Sequence, residues 1–436
     1  MKKLIEFLNH INLKDDIKLF SGTGLLTFLR LTSGLVIIKI VAVISGPSGI
    51  AIYGQVQNFA LMLNGIFASA SGDGVIKLIA QNQNDQTKIA IIKSSSILIL
   101  VSIICITIPL IFFFRNPIFA WINVESFDTR EVFIFFLGAF MAAIGTFFIS
   151  VKNGLQEFRT VITVNIKSIL ISLFLSSLIL IFSGDDGIIF IPSVYLALIG
   201  ALQVFFVFEK NAIQLASFMK LKFEVLKELI GFMLITFTSF VVTPFVLISI
   251  RSTAISQFGL DVTGDWESSR RILELVTAIL TAYFAMILLP KVAKIEINHA
   301  RKIILINAFY ITVISIFGLI FCYYFRSFIY MIVYTPDFNY SLDLLVTRIF
   351  GEFLRNLVWI FGLILVAKAM FKIYILASLF NGFLLLYLSN IFVSSYGIIG
   401  LNYAYFVTNL TSLIIGFLIF LKLTEEKKKN YKEINE

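Results

Sequence analysis

Apolar residues run through this chain in long blocks, and polar residues gather in the short gaps between them. A helix that crosses a bilayer needs about 20 mostly apolar residues. The pattern predicts such helices near 20–45, 50–76, 94–114, 132–151, 160–182, 187–208, 228–250, 265–290, 303–325, 344–366, 373–393 and 399–421. The expected fold class is an all-α polytopic membrane protein with about 12 transmembrane helices. Helices suit that setting because they satisfy their own backbone polar groups where water is absent.

Composition agrees. With 59% hydrophobic and only 14% charged residues and a mean hydropathy of +0.96, one soluble core cannot hide the apolar surface. Lys and Arg then orient the chain. Of 35 basic residues, 24 fall at the N-terminus, in the even-numbered gaps and in the tail. The odd gaps hold only Arg115, Arg130, Arg251 and Arg326. By the positive-inside rule both termini and the even gaps are cytoplasmic. The net charge of +9 is thus topological, and no nucleic-acid partner is expected. The Lys427–Lys429 run reads as a solvated tail touching anionic lipid. Residues 1–18 read as an amphipathic cytoplasmic lead-in with no cleavable signal.

Several chemistries have no support. No GxxxxGK[ST] pattern occurs and no gap can hold a nucleotide domain. His10 and His299 stand alone, and Cys105 and Cys322 lie in different halves. No cofactor, metal site or catalytic residue is expected.

The longest basic linker, 209–227, divides the spans six and six. The expected organisation is an N-terminal segment (1–19), a first lobe (20–208), the linker, a second lobe (228–421) and a tail (422–436). The halves echo each other. Gly46-Pro47-Ser48-Gly49 turns and enters the second span as Gly259 through Gly264 turns before the eighth. Residues 148–155 echo 363–370. Matching topology favours two parallel six-helix lobes over an inverted repeat.

Charges inside spans carry the functional signal, because an unpaired charge there costs about 2.5–3.5 kcal/mol on insertion scales. Glu267, Arg270, Arg271 and Glu274 lie on one helix face, extended by Thr277 and Thr281. Arg348, Glu352 and Arg355 form another, with Asn356 beside it. Arg30 aligns with Thr23, Thr27 and Gly34. Gln55, Asn58, Ser69 and Asp73 roughly align, with Lys77 one turn beyond. Asp73 and Lys77 read equally as a boundary pair or as cavity residues. Arg348 reads as structural pairing with Glu352 or as ligand contact, and Lys167 as cavity lining or not. Lys39 reads as a side chain snorkelling to the outer interface. The interior is biased to arginine, which binds phosphate oxygens bidentately. An anionic or zwitterionic cargo is favoured, whereas a cation exporter would show acids in excess.

Three stretches carry a family resemblance: Lys39-Ile40-Val41-Ala42-Val43 into Gly46-Pro47-Ser48-Gly49, Leu288-Leu289-Pro290-Lys291, and Gly351-Glu352 through Phe361–Ala369 to Tyr374-Ile375-Leu376. Together they resemble the Wzx-type O-antigen and lipid III flippases, in the polysaccharide branch of the multidrug/oligosaccharidyl-lipid/polysaccharide exporter superfamily. The resemblance implies two six-helix lobes around a central cavity that opens alternately to each side. It implies transport of undecaprenyl-diphosphate-linked oligosaccharide repeat units from the cytoplasmic to the periplasmic leaflet of the bacterial inner membrane. The partners implied are that lipid, the bilayer, and a polysaccharide polymerase and chain-length regulator. Arg30, Arg270 and Arg271 would meet the diphosphate, and Gln55 and Asn58 the sugars. Asp73, Glu274 and Glu352 are candidates for coupling. Lys77, Lys167, Glu267, Arg348 and Arg355 complete the candidate cavity set. A lipid II flippase and a drug/cation exporter of the same superfamily are the alternatives. A membrane-bound glycosyltransferase would need long exterior loops or an acidic cluster.

Overall fold

The computed structural model describes residues 13–124, 128–207, 221–284, 288–294, 297–338, 341–368 and 370–433. Residues 1–12 of the 1–18 lead-in and the greater part of the 209–227 linker lie outside the described residues, as does the side chain of His299. Among the described residues the chain is helical, without a strand.

Two long helices dominate. α1 (Leu13–Ala68) has 56 residues and breaks its helical geometry only at Gly46, at φ 56° and ψ −146°. α1 is followed by α2 (Asp73–Gln81), α3 (Gln86–Phe113), α4 (Arg115–Ile122), α5 (Thr129–Gly154), α6 (Phe158–Ser183) and α7 (Asp185–Val207). The second set begins with α8 (Phe223–Tyr283), whose 61 residues break at Gly259, φ 82° and ψ 177°. It continues with α9 (Leu289–Lys294), α10 (Ile297–Tyr324), α11 (Arg326–Val333), α12 (Ser341–Ala367), α13 (Phe371–Tyr396) and, after a 3-10 turn at Gly397–Ile399, α14 (Gly400–Glu433).

The two sets repeat element for element. Each opens on a kinked helix and a short one. Then come a 28-residue helix and an eight-residue helix in both halves. The sixth elements, α6 and α13, both have 26 residues, and each ends at a positive-φ glycine, Gly184 or Gly397. These glycines occupy left-handed backbone that other residues adopt only with strain. The order of elements therefore repeats in the two halves, and the echo around Gly46 and Gly259 marks matching turns.

Nine stretches among the described residues are long and apolar enough to cross a membrane. Three of these, at 22–81, 240–275 and 372–423, contain one of the glycine breaks. A straight α1 would reach about 84 Å at 1.5 Å per residue, far beyond a bilayer core of about 30 Å. Large apolar side chains such as Phe113, Phe182 and Phe205 stay exposed, as a lipid-facing surface requires.

Helices within 13–207 pack mainly on one another, as do those within 223–433, and α1 and α8 join the two groups. The joint is close at the turns: a Cβ on Gly264 would strike the carbonyl of Pro47. The ends of α4 and α11 meet the same region, through Gln55 to Ile122 and Lys39 to Tyr334. This is called the Gly46 end below.

One boundary differs from the hydropathy reading. The second span does not continue to residue 76; it stops at Ala68, and a turn over 69–72 precedes α2. Gly72 caps α2 without a side-chain bond, and Ser69 bonds back to Ile66 O at 2.6 Å. Asp73 and Lys77 thus sit on a separate short helix rather than on the face of Gln55.

Candidate functional site

Past Gly259, α8 carries its charges at three- and four-residue steps, so they project from one face. Glu267 is the centre. Its side chain is 0% exposed, and it accepts four N–H bonds. Arg251 Nη2 and Arg270 Nε donate to Oε2, each at 2.8 Å. Arg270 Nη2 and Arg271 Nε donate to Oε1 at 2.6 and 2.8 Å. Arg270 also pairs with Glu274. Arg271 reaches Gln57 Oε1 on α1 at 2.8 Å and stacks over Tyr53.

α12 supplies the second charged face. Glu352 is fully buried. It accepts from Arg355 at 2.6 Å, from the Thr277 hydroxyl at 2.8 Å and from the Tyr405 hydroxyl at 2.8 Å. Arg355 lies 3.7 Å from Glu274 and so joins the faces. Arg348 lies over the Tyr405 ring at 4.1 Å and donates to Asn402 at 3.4 Å. Asn356 extends the network to Ser315 on α10.

The two faces form one assembly of five arginines (251, 270, 271, 348, 355) and three glutamates (267, 274, 352). It carries an excess of two positive charges. Such burial is sustained only because nearly every charge is paired and hydrogen-bonded. Its rim is accessible: the Glu274 side chain is 34% exposed and that of Arg355 21%.

The first half contributes differently. Arg30 is exposed, near the Tyr195 phenol, and forms no ion pair among the described residues. Gln55 is fully buried and spends its amide on Ile122 O, Ile248 O and Arg251. Asn58 is buried and its Nδ2 has no partner among the described residues. Lys167 is exposed and lies over Phe206. Asp73 and Lys77, both exposed, make no ion pair with each other, and Lys77 lies over Phe232. Thr281 bonds back to its own helix.

One member of the assembly, Arg251, and two of its bonding partners, Gln57 and Tyr405, escape a reading of helix faces. Arg251 falls in what hydropathy treats as an exterior gap, yet it is 0% exposed. The signal was available: Arg251 and Glu267 each lie eight residues from Gly259, so folding α8 at that glycine sets them side by side. Gln57 and Tyr405 carried no such mark.

No protein-family model matches the chain. Among curated proteins, the lipid III flippase of Escherichia coli (strain K12) is 22% identical over 427 residues, covering 92% of this chain and 96% of the relative. The lipid III flippase of Shigella flexneri matches to the same degree. The resemblance read from the sequence thus extends over nearly the full length. An inward-facing multidrug resistance MATE family transporter of the MOP superfamily superposes with a TM-score of 0.76 at 14% identity, over 92% of this chain and 96% of that one. An outward-facing structure of such a transporter gives 0.62 at 15% identity, over 94% and 95%. The lipid II flippase MurJ, inward closed, gives 0.66 at 16% identity, over 94% and 90%. This chain is a multi-pass membrane protein with the two-lobed fold of those transporters.

Proposed function

We propose that the protein is a flippase that carries a diphosphate-linked lipid oligosaccharide across the bacterial inner membrane by alternating access. One observation carries the reading: the buried assembly of the second half holds two more arginines than glutamates. A diphosphate diester brings two negative charges, and arginine is the side chain best shaped to receive them. The full-length likeness to lipid III flippases supports the same cargo class.

Accessibility sorts the arginines. The exposed Arg30 and the rim residue Arg355, whose side chain is 21% exposed, take the diphosphate, while Arg271, at 9%, stays with Glu267. Arg270 and Arg251 hold Glu267 and set the geometry of that rim. Asn58, with an unpartnered amide, meets the sugars, and the lipid tail remains in the bilayer.

The three broken stretches each cross twice, which gives twelve spans with both termini cytoplasmic. Residues 20–208 and 228–421 are the two lobes. The Gly46 end faces the periplasm and is closed in this structure, in keeping with the higher similarity to the inward-facing transporter. Export then supplies a polymerase and chain-length regulator in the outer leaflet.

The MATE-like superposition favours one second reading, a drug exporter. Complementation separates the two. Flippase-deficient cells that regain surface glycan and lose the accumulated lipid-linked intermediate support flipping. Drug resistance conferred without restored glycan, using the native glycan gene cluster, supports export of drugs instead.

A further inference from the structure

Two cations occupy the same place in the two halves to within one residue. Lys39 lies seven residues before Gly46 on α1, and Arg251 lies eight before Gly259 on α8. Lys39 directly, and Arg251 through the Gln55 amide, reach the C-terminal end of the eight-residue helix of the opposite half. Lys39 Nζ donates to the carbonyls of Tyr334 at 2.5 Å and Met331 at 3.3 Å, at the end of α11. Arg251 Nη1 donates to Gln55 Oε1 at 2.9 Å, and Gln55 Nε2 donates on to Ile122 O at 2.7 Å, the last residue of α4. One flanking bond also crosses the halves, Asn123 Nδ2 donating to Ser252 O at 3.4 Å, while the Tyr334 hydroxyl donates to Ser268 O at 3.2 Å within the second half.

The last carbonyls of a helix lack intrahelical partners and carry partial negative charge, so they accept cations well. The ion pairs of the buried assembly, by contrast, lie wholly in the second half. What α1, α4 and α11 exchange with the opposite half here is hydrogen bonds onto neutral oxygens. Parting the halves at this end breaks those bonds but pulls apart no pair of unlike charges, the step that is costly in a dry interior.

We propose that Lys39 is a positioning residue for translocation. With Arg251 it forms a pseudo-symmetric pair of clasps that hold the Gly46 end closed and release without breaking an ion pair. The inference rests on the alternating-access reading above.

The test is the labelling rate of a buried cysteine at this end in the full-length, detergent-solubilised protein. Thr263, fully buried beside Gly264, is changed to cysteine after Cys105 and Cys322 are replaced by alanine, and maleimide is the probe. Lys39→Met should speed labelling roughly tenfold, the scale of one lost hydrogen bond to a charged group. Lys39→Arg, which keeps charge and donors, should change it less than about twofold. Labelling of Lys39→Met at the parent rate would overturn the clasp. Should that variant not accumulate, Lys39→Gln gives the same comparison, with the parent rate again the overturning result. Faster labelling together with failure to restore glycan in any variant would remove the flippase reading and leave the clasp standing. Flat labelling with normal export would do the reverse.

Discussion

The Glu267 carboxylate meets the Arg251 guanidinium at 2.8 Å, with both side chains fully buried. The contact closes a hairpin about Gly259. Because Arg270 and Arg271 share the same carboxylate, one acid balances three arginines. Glu267→Gln leaves Arg251 and Arg271 without a formal counter-charge inside the bundle and Arg270 with Glu274 alone. We expect a loss of about 3–5 kcal/mol, as for other broken buried pairs, read as a collapse in the yield of monodisperse protein. Glu274→Gln, at the half-exposed rim, should retain most of that yield. Equal yields for the two would contradict the central role of Glu267.

Arg30 and Arg270 separate binding from architecture. Arg30 is exposed and makes no ion pair among the described residues, so Arg30→Ala should leave the melting temperature within a degree or two of the parent (about the effect of a neutral surface change). Glycan export should fall about tenfold or more, the scale of one charge-assisted contact. Arg270→Ala should lower both, since it strips two carboxylates of a partner. Wild-type export by Arg30→Ala at native expression would take it out of the cargo path.

Gly264 packs against the backbone of Pro47 across the two halves. Gly264→Ala places a methyl group where the Pro47 carbonyl sits and should wedge the Gly46 end open. The readout is faster maleimide labelling of Thr263→Cys. Gly231, on α8 with nothing near its Cβ position, is the control. Gly231→Ala should leave labelling unchanged and stabilise the helix by about 1 kcal/mol.

Tyr405 does two jobs at α14: its hydroxyl donates to Glu352 at 2.8 Å and its ring lies 4.1 Å from the Arg348 guanidinium. Tyr405→Phe removes only the first. Glu352 keeps Arg355 and Thr277, so thermal unfolding should shift by about 1–2 kcal/mol. Tyr405→Leu, which also removes the ring, should cost distinctly more. Identical melting curves for the two variants would mean that the Arg348 stack contributes nothing.

The charged faces at Glu267–Glu274 and Arg348–Arg355 were legible because helical spacing is a local property of sequence. Their joining through Glu274 and Arg355 was not, since it depends on how α8 and α12 pack. Gln55 shows the same limit. As a polar residue in an apolar span it reads as sugar-facing, but in the fold it is fully buried between Ile122 and Arg251. Lys39 near a span end reads as snorkelling, while the structure turns it onto the carbonyls of α11. Nothing in the hydropathy of residues 50–76 announced the turn at 69–72, because Ser69 and Gly72 are tolerated in either conformation.

Hydrophobic periodicity and the placement of Lys and Arg determined that this chain is helical, membrane-embedded and built from two similar halves. Those properties follow from burial and charge cost, which each segment meets on its own. Tertiary structure alone decided which charges neutralise one another, which arginines remain accessible, and how each half grips the other. The energies of such contacts depend on distances and desolvation that exist only once the helices are packed.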